Sequence, residues 1–349
     1  MKMFKRMMCW LPVLCCLAAF AMLSSSCVKE QAEELSVFQA ADMPTLTATT
    51  ASEIPVTKAS ITPVEDEARA ILWDKGDALS VFYRNGNNLK YVLEGDGGTA
   101  SGDFSYSSGT VAAPKFKEVV ALYPYDGAAH YSNGVLDVTI PAEQTYTENT
   151  FDPKAFPMVG VADEEGKVAF GNVCGFFVLR LYGADATVKS VKLTGAMGEQ
   201  MAGPVKVTVE AGEAPHISDW GMDAADEVVL KCATPVKVGA TIEEATEFWF
   251  VLPPMTFMDG ISVKVECEGF EIGRSSDEYI EIYRSGVCWM DELELKVFKP
   301  EYVEMAPGFY MATTNIGAEN PEDPGYYFAW GETEPKDNYT WRGYCRSGR

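Results

Sequence analysis

Residues 174–181 read Cys-Gly-Phe-Phe-Val-Leu-Arg-Leu, and this run restricts the fold more than any other part of the chain. Successive side chains of a strand point to opposite faces. Phe177, Leu179 and Leu181 therefore share one face, and Phe176 and Val178 share the other. A strand that is apolar on both faces must be covered on both sides. Shorter alternating runs repeat along the chain. Val205, Val207 and Val209 alternate strictly, as do Ile261, Val263 and Val265. Tyr279, Glu281 and Tyr283 interleave with Ile280 and Ile282. Glu247-Phe248-Trp249-Phe250-Val251-Leu252 stops at Pro253-Pro254, which removes ladder donors. Asp74-Lys75-Gly76-Asp77, Asn85-Gly86 and Asn133-Gly134 supply turns. Leu46-Thr47-Ala48-Thr49-Thr50 reads as a weakly held strand. Glu227 to Cys232 and Pro235 to Val238 read as two short strands. Helical periodicity is scarce. The pattern predicts an all-β chain with two antiparallel β-sandwiches in tandem.

The 349 residues suffice for two ordinary domains plus an appendage. The expected divisions are 1–26, 27–58, 59–172, 173–300 and 301–349. The first is a secretory signal. Lys2, Lys5 and Arg6 open it, an apolar run follows from Met7 to Leu23, and Ser24-Ser25-Ser26 precedes Cys27. A thiol placed directly after small residues suits thioether lipidation. The run is short for a membrane-spanning helix, which needs about 20 apolar residues. The charged stretch from Lys29 to Glu34 begins a solvated tether. Residues 27–58 are expected to hold that tether and the N-terminal strand at Leu46–Thr50, and 301–349 to form a short, partly ordered tail or incomplete module.

The formal charge of −23 sets aside nucleic acid and anionic lipid surfaces as partners. Of the nine cysteines, Cys9, Cys15 and Cys16 would leave with the signal. Cys174, Cys232, Cys267, Cys288 and Cys345 then remain, besides the lipidated Cys27. They show no C-x-x-C spacing, and His130 and His216 are the chain's two histidines, so no zinc site is expected. The four in strand contexts read as small core residues. A disulfide among them stays open in an oxidising envelope. The chain has no G-x-S-x-G and no H-E-x-x-H, and no spacing selects a pair of carboxylates for hydrolysis. Gly95-Asp96-Gly97-Gly98 reads as a hairpin tip, and Asp163-Glu164-Glu165-Gly166 as a solvated turn. No catalytic residue, metal or cofactor is expected.

The segment around Cys27 resembles the loose lipobox of Bacteroidetes lipoproteins, although Leu23 lies four residues before the cysteine rather than three. The charged stretch after it resembles the signal for display on the outer leaflet. Further motifs lie in order along the chain. They are Trp73…Gly76-Asp77-Ala78-Leu79-Ser80-Val81-Phe82, Ala121-Leu122-Tyr123-Pro124, Ile140-Pro141…Gln144, Val188…Val191-Lys192-Leu193-Thr194-Gly195…Gly203, and Phe248 to Pro254 with Phe257 and Gly260. Together they resemble the fimbrillin family, subunits of the Bacteroidales type V pilus, over roughly residues 35–300.

The resemblance implies a lipoprotein that is cut by a surface protease in or after an N-terminal strand. The groove left behind accepts a strand from the next subunit, so the partners are other pilus subunits joined by donor-strand insertion. The expected cut lies after Lys58, with Arg69 second. The family cut usually follows arginine, a departure at Lys58. The expected location is the outer membrane, surface exposed, through the Cys27 lipid anchor, and then the fimbrium. The bulk after the last strand favours a tip or accessory subunit over the shaft. Host or bacterial surface glycans or proteins are expected ligands. The alternative is a non-polymerising outer-membrane glycan-binding lipoprotein. Phe309 to Thr333 resembles the opening of a C-terminal module of Bacteroidetes surface proteins. In a complete module Trp330 and Trp341 would stack on sugar rings.

Overall fold

The computed structural model describes residues 43–50, 71–83, 87–109, 119–296, 302–318 and 325–328. Contacts divide the chain into Met1–Val37 and Phe38–Arg349, and every described residue belongs to the second unit. The fold is all-β. Among the described residues the helical turns are two three-residue 3-10 segments, Pro153–Ala155 and Ile242–Glu244.

Four sheets carry most of the chain. The largest has eight strands in the order Lys167–Ala169, Leu46–Thr49, Ser101–Ser108, Asn88–Leu93, Ala78–Tyr83, Val119–Tyr123, Met158–Val161 and Gly171–Asn172. Its pairs are antiparallel except Leu46–Thr49 with Lys167–Ala169, which is parallel. A four-stranded sheet runs His216–Trp220, Gly203–Thr208, Val135–Ile140, Tyr131–Ser132. The Asn133-Gly134 turn joins its last two strands, with φ of 52° and 81°, the left-handed pair that a two-residue hairpin requires. A five-stranded sheet runs Glu143–Thr145, Glu227–Lys237, Thr187–Gly195, Ile261–Cys267, Glu271–Ser276. The fourth places Gly175–Tyr182 between Thr246–Leu252 and Val287–Trp289.

The doubly apolar run forms the wall between two cores. Phe176 and Val178 pack into the first core, with Trp249 and Val251 of the neighbouring strand. Phe177, Leu179 and Leu181 pack into the second, with Phe248, Phe250 and Leu252. Both strands thus expose neither face, as their composition demands. Arg180, the charged residue of the run, ion-pairs with Glu292 where both side chains are about four-fifths buried.

Strand pairing crosses residue 172 in both directions. Val135–Ile140 pairs with Gly203–Thr208, and Glu143–Thr145 pairs with Glu227–Lys237. The two cores therefore exchange strands across the position where the sequence suggests a division. Gln144 is part of this exchange. Its buried side chain donates from Nε2 to the Val251 carbonyl at 2.8 Å, and its Oε1 accepts the Val251 N–H at 2.9 Å. A side-chain amide thereby covers the outer edge of Thr246–Leu252.

One strand expectation needs correction. Glu227–Lys237 is one strand rather than two. Its register against Thr187–Gly195 jumps from Ser190↔Lys231 to Val188↔Val236, so the residues around Pro235 loop out in a bulge. A bulge accommodates a proline, which has no N–H for the ladder. Leu46–Thr49, expected as a weakly held strand, lies inside the eight-stranded sheet with a partner on each side.

Cys174, Cys232, Cys267 and Cys288 are free thiols. Three are buried and Cys232 is half-buried, so the core reading fits Cys174, Cys267 and Cys288 best. Cys345 lies outside the described residues. Near the end of the chain, Tyr302–Ala306 and Phe309–Ala312 form a separate hairpin that presents Tyr302, Met305, Phe309, Tyr310 and Met311 to solvent.

Candidate functional site

The strand Leu46–Thr49 is short, yet it occupies an interior position in the largest sheet. On one side it runs antiparallel to Ser101–Ser108, with Leu46 opposite Phe104 and Thr49 opposite Ser101. On the other it runs parallel to Lys167–Ala169, with Thr47 opposite Lys167 and Thr49 opposite Ala169. The Thr47 N–H donates to the Gly166 carbonyl at 3.1 Å, and the Phe170 N–H donates to the Thr49 carbonyl at 2.9 Å. Just beyond the strand, the Thr50 N–H donates to the Ala100 carbonyl at 2.8 Å.

Alternation then decides what the strand fills. Leu46 and Ala48 are wholly buried, and Thr49 is exposed. The small alanine suits the position beneath Trp73. The Trp73 indole N–H donates to the Ala48 carbonyl at 3.1 Å. The same ring meets Phe104, Tyr123 and Phe170 edge-on, with centroids at 5.1, 5.2 and 5.6 Å. Edge-to-face packing of this kind is favourable and directional. Thr50 adds a buried tie, its hydroxyl donating to the Ile71 carbonyl at 2.8 Å.

Trp73 is set by the turn that follows it. Gly76 takes φ of 89°, a left-handed value that side chains disfavour. The Asp74 N–H donates to Asp77 Oδ2 at 2.8 Å, and Tyr123 donates its hydroxyl to Asp77 Oδ1 at 3.1 Å. Burial raises the Asp77 carboxyl above its ordinary value, with the two hydrogen bonds opposing that rise.

Removal of Leu46–Thr49 would leave Ser101–Ser108 and Lys167–Ala169 each with an unpaired edge, facing one another across an apolar slot. Such an arrangement is the receptor half of strand addition and an aggregation hazard when left open. The segment that follows, residues 51–70, holds Lys58 and Arg69. Both cleavage candidates lie outside the described residues, as do Cys27, Trp330 and Trp341, so the structure brings none of them together. Trp73 appeared in the sequence among the fimbrillin-like motifs, but nothing there linked it to residue 48.

Among the described residues, no group of three or more His, Cys, Asp or Glu side chains is gathered as a metal site requires, and no helix is long and apolar enough to cross a membrane. The Asp163–Gly166 segment is a solvated turn in which Asp163 Oδ1 accepts the N–H groups of Glu165 and Lys167 at 2.9 and 2.8 Å.

No protein-family description matches the chain, and no curated protein matches it. Solved structures do. One is a proposed cell adhesion protein from Bacteroides ovatus, 15% identical, covering 69% of this chain and 89% of its own, with a TM-score of 0.42. A fimbrial protein from the same species is 12% identical and covers 78% of this chain and 54% of its own, at a TM-score of 0.30. The tip fimbrial protein Mfa3 from Porphyromonas gingivalis is 10% identical and covers 67% of this chain and 83% of its own, at 0.21.

Proposed function

We propose that this chain is a surface-anchored, fimbrillin-like adhesive subunit that polymerises by exchanging its N-terminal strand. The observation that carries the reading is the interior seat of Leu46–Thr49, paired on both sides and buried through Leu46 and Ala48. A cut after Lys58, or after Arg69, would separate that strand and the lipid on Cys27 from the rest of the chain. Four residues of ladder, the buried Leu46 and Ala48 side chains and the hydrogen bonds of Trp73 and Thr50 then hold the strand, few enough for a competing strand to replace it. The incoming strand comes from the next subunit and restores both edges. The same seat makes the uncut strand a plug that keeps the groove closed until assembly. A tip or accessory position, held to the outer membrane before processing, fits the residues that follow 300.

The test is N-terminal mapping of the protein recovered from cells. The expected result is an acylated Cys27 in the precursor, a new N-terminus near Ala59, and detergent-resistant oligomers of the cut form. Recovery of the uncut, acylated form on every molecule, with monomers alone after protease treatment, overturns the proposal.

A further inference from the structure

Away from the strand groove, a cleft of about 680 Å³ opens between the large sheet and the strand Val135–Ile140. Its walls carry apolar surface from Leu122, Pro124, Val138 and Pro157, and polar groups from Asp77, Asp126, Asp152, Lys90 and Lys154. The three carboxylates are already used inside the protein. Asp77 holds the Asp74 N–H and the Tyr123 hydroxyl. Asp126 Oδ1 accepts the Ala128 N–H at 2.8 Å. Asp152 is buried and accepts the N–H groups of Thr145 and Lys154 at 2.8 and 3.0 Å.

The two lysines are not used in this way. Among the described residues neither ammonium has a carboxylate within ion-pair distance, in a chain with 51 acidic and 28 basic residues. Lys90 instead sits over the Tyr125 ring, 4.9 Å from its centroid. That contact orients the ammonium without neutralising it. The loop carrying Tyr125 is rigidly based. The Tyr125 N–H donates to the Ala78 carbonyl at 2.8 Å. The Asp126 carbonyl accepts from Ser80 Oγ at 3.1 Å and from Asn88 Nδ2 at 2.6 Å, and the Asp126 N–H donates to Ser80 Oγ at 3.0 Å.

We infer that this cleft binds a carboxylate-bearing sugar of a surface glycan, with Lys90 and Lys154 holding the carboxylate and the apolar wall taking the C–H face of the ring. A concave site with apolar lining and a few placed polar groups is the usual form of a small-ligand site, and uncompensated ammonium groups select for an anion. Screening over about 8 Å at physiological salt damps the acidic surface outside the cleft, and inside it the three carboxylates that oppose an anion are each held by the protein's own donors, leaving the lysine ammonium groups as the donors free to meet one. The inference goes beyond strand exchange and is independent of it, because the uncut protein already forms the cleft.

Calorimetry on the full uncut chain tests it, with sialyllactose and trigalacturonate as acidic probes and lactose as the neutral one. At least one acidic probe is expected to bind saturably below about 1 mM, and lactose at least about tenfold more weakly. Lys90→Gln and Lys154→Gln should each weaken the acidic probe by about tenfold or more, Lys90→Arg should retain binding, and the thermal midpoints should stay unchanged. Lys231→Gln, which removes an ion pair with Glu143 elsewhere, should have no effect. The inference is overturned if neither acidic sugar saturates, if lactose binds as well, if inorganic sulfate binds equally tightly, or if the folded Lys90→Gln and Lys154→Gln variants bind like the parent.

Discussion

Leu46→Ala tests whether the plug is held by side-chain burial. Leu46 is wholly buried opposite Phe104, so the change removes apolar contact and leaves a cavity in the slot. Buried leucine truncations cost about 3 kcal/mol at the lower end of their range, and 1.4 kcal/mol is a factor of ten. The strand's dissociation constant should therefore rise roughly 100-fold, and effects of this kind fall mainly on the off-rate. Thr49→Ala is the matched control on the exposed face, where the hydroxyl meets Ser101 Oγ at 3.4 Å. It should change release by less than about threefold, as surface substitutions generally do. The assay places a site-specific protease sequence within residues 51–70, cuts, and follows exchange of the strand against a labelled peptide spanning residues 43–58. If Leu46→Ala and Thr49→Ala release at the same rate, backbone pairing alone holds the strand and the reasoning from side-chain burial is wrong.

Three further outcomes follow from the same structure. Gln144→Leu leaves the buried N–H and C=O of Val251 without their partners, which should cost about 2–6 kcal/mol at 1–3 per group, read by urea denaturation. Among the four described thiols, alkylation followed by peptide mapping at pH 8 should modify half-buried Cys232 first, slowly because burial pushes its thiol up to about 11, while Cys174 stays unmodified until the protein unfolds. Asp77→Asn should flatten the pH dependence of stability. Burial raises the folded carboxyl, so its stabilising contribution is complete below the unfolded value of about 3.9 and is lost as pH rises through the folded one. Parent and variant melting curves with equal slopes between those two points would contradict this.

Much of the fold was legible because the core strands obey simple alternation. Phe176 to Leu181 announced a strand with two covered faces, and each face indeed lies in a different core. Asn133-Gly134 announced its hairpin because few other dipeptides accept left-handed backbone twice in succession. The misreadings concern information that is not local. Pro235 looked like a break between strands, yet the partner strand Thr187–Gly195 continues past it and the mismatch is absorbed by a bulge. Gln144 belonged to a recognisable motif, but its task is a bond to a residue 107 positions away.

The site residues show the same division more sharply. Leu46-Thr47-Ala48-Thr49 is poor in apolar area, and judged alone it is a marginal strand. Its place in the sheet comes from what it meets, the Trp73 indole above Ala48 and the two edges on either side. A strand whose order is supplied mainly by its receptor is one that another strand of similar alternation can replace. Low intrinsic strength and high structural occupancy are therefore not in conflict here. A plug with a large apolar surface of its own would be read easily from sequence, but it would also be displaced slowly, since each additional buried leucine-sized side chain slows release by a further factor of about a hundred. The weakness of the signal in this stretch is the physical condition that the proposed exchange requires.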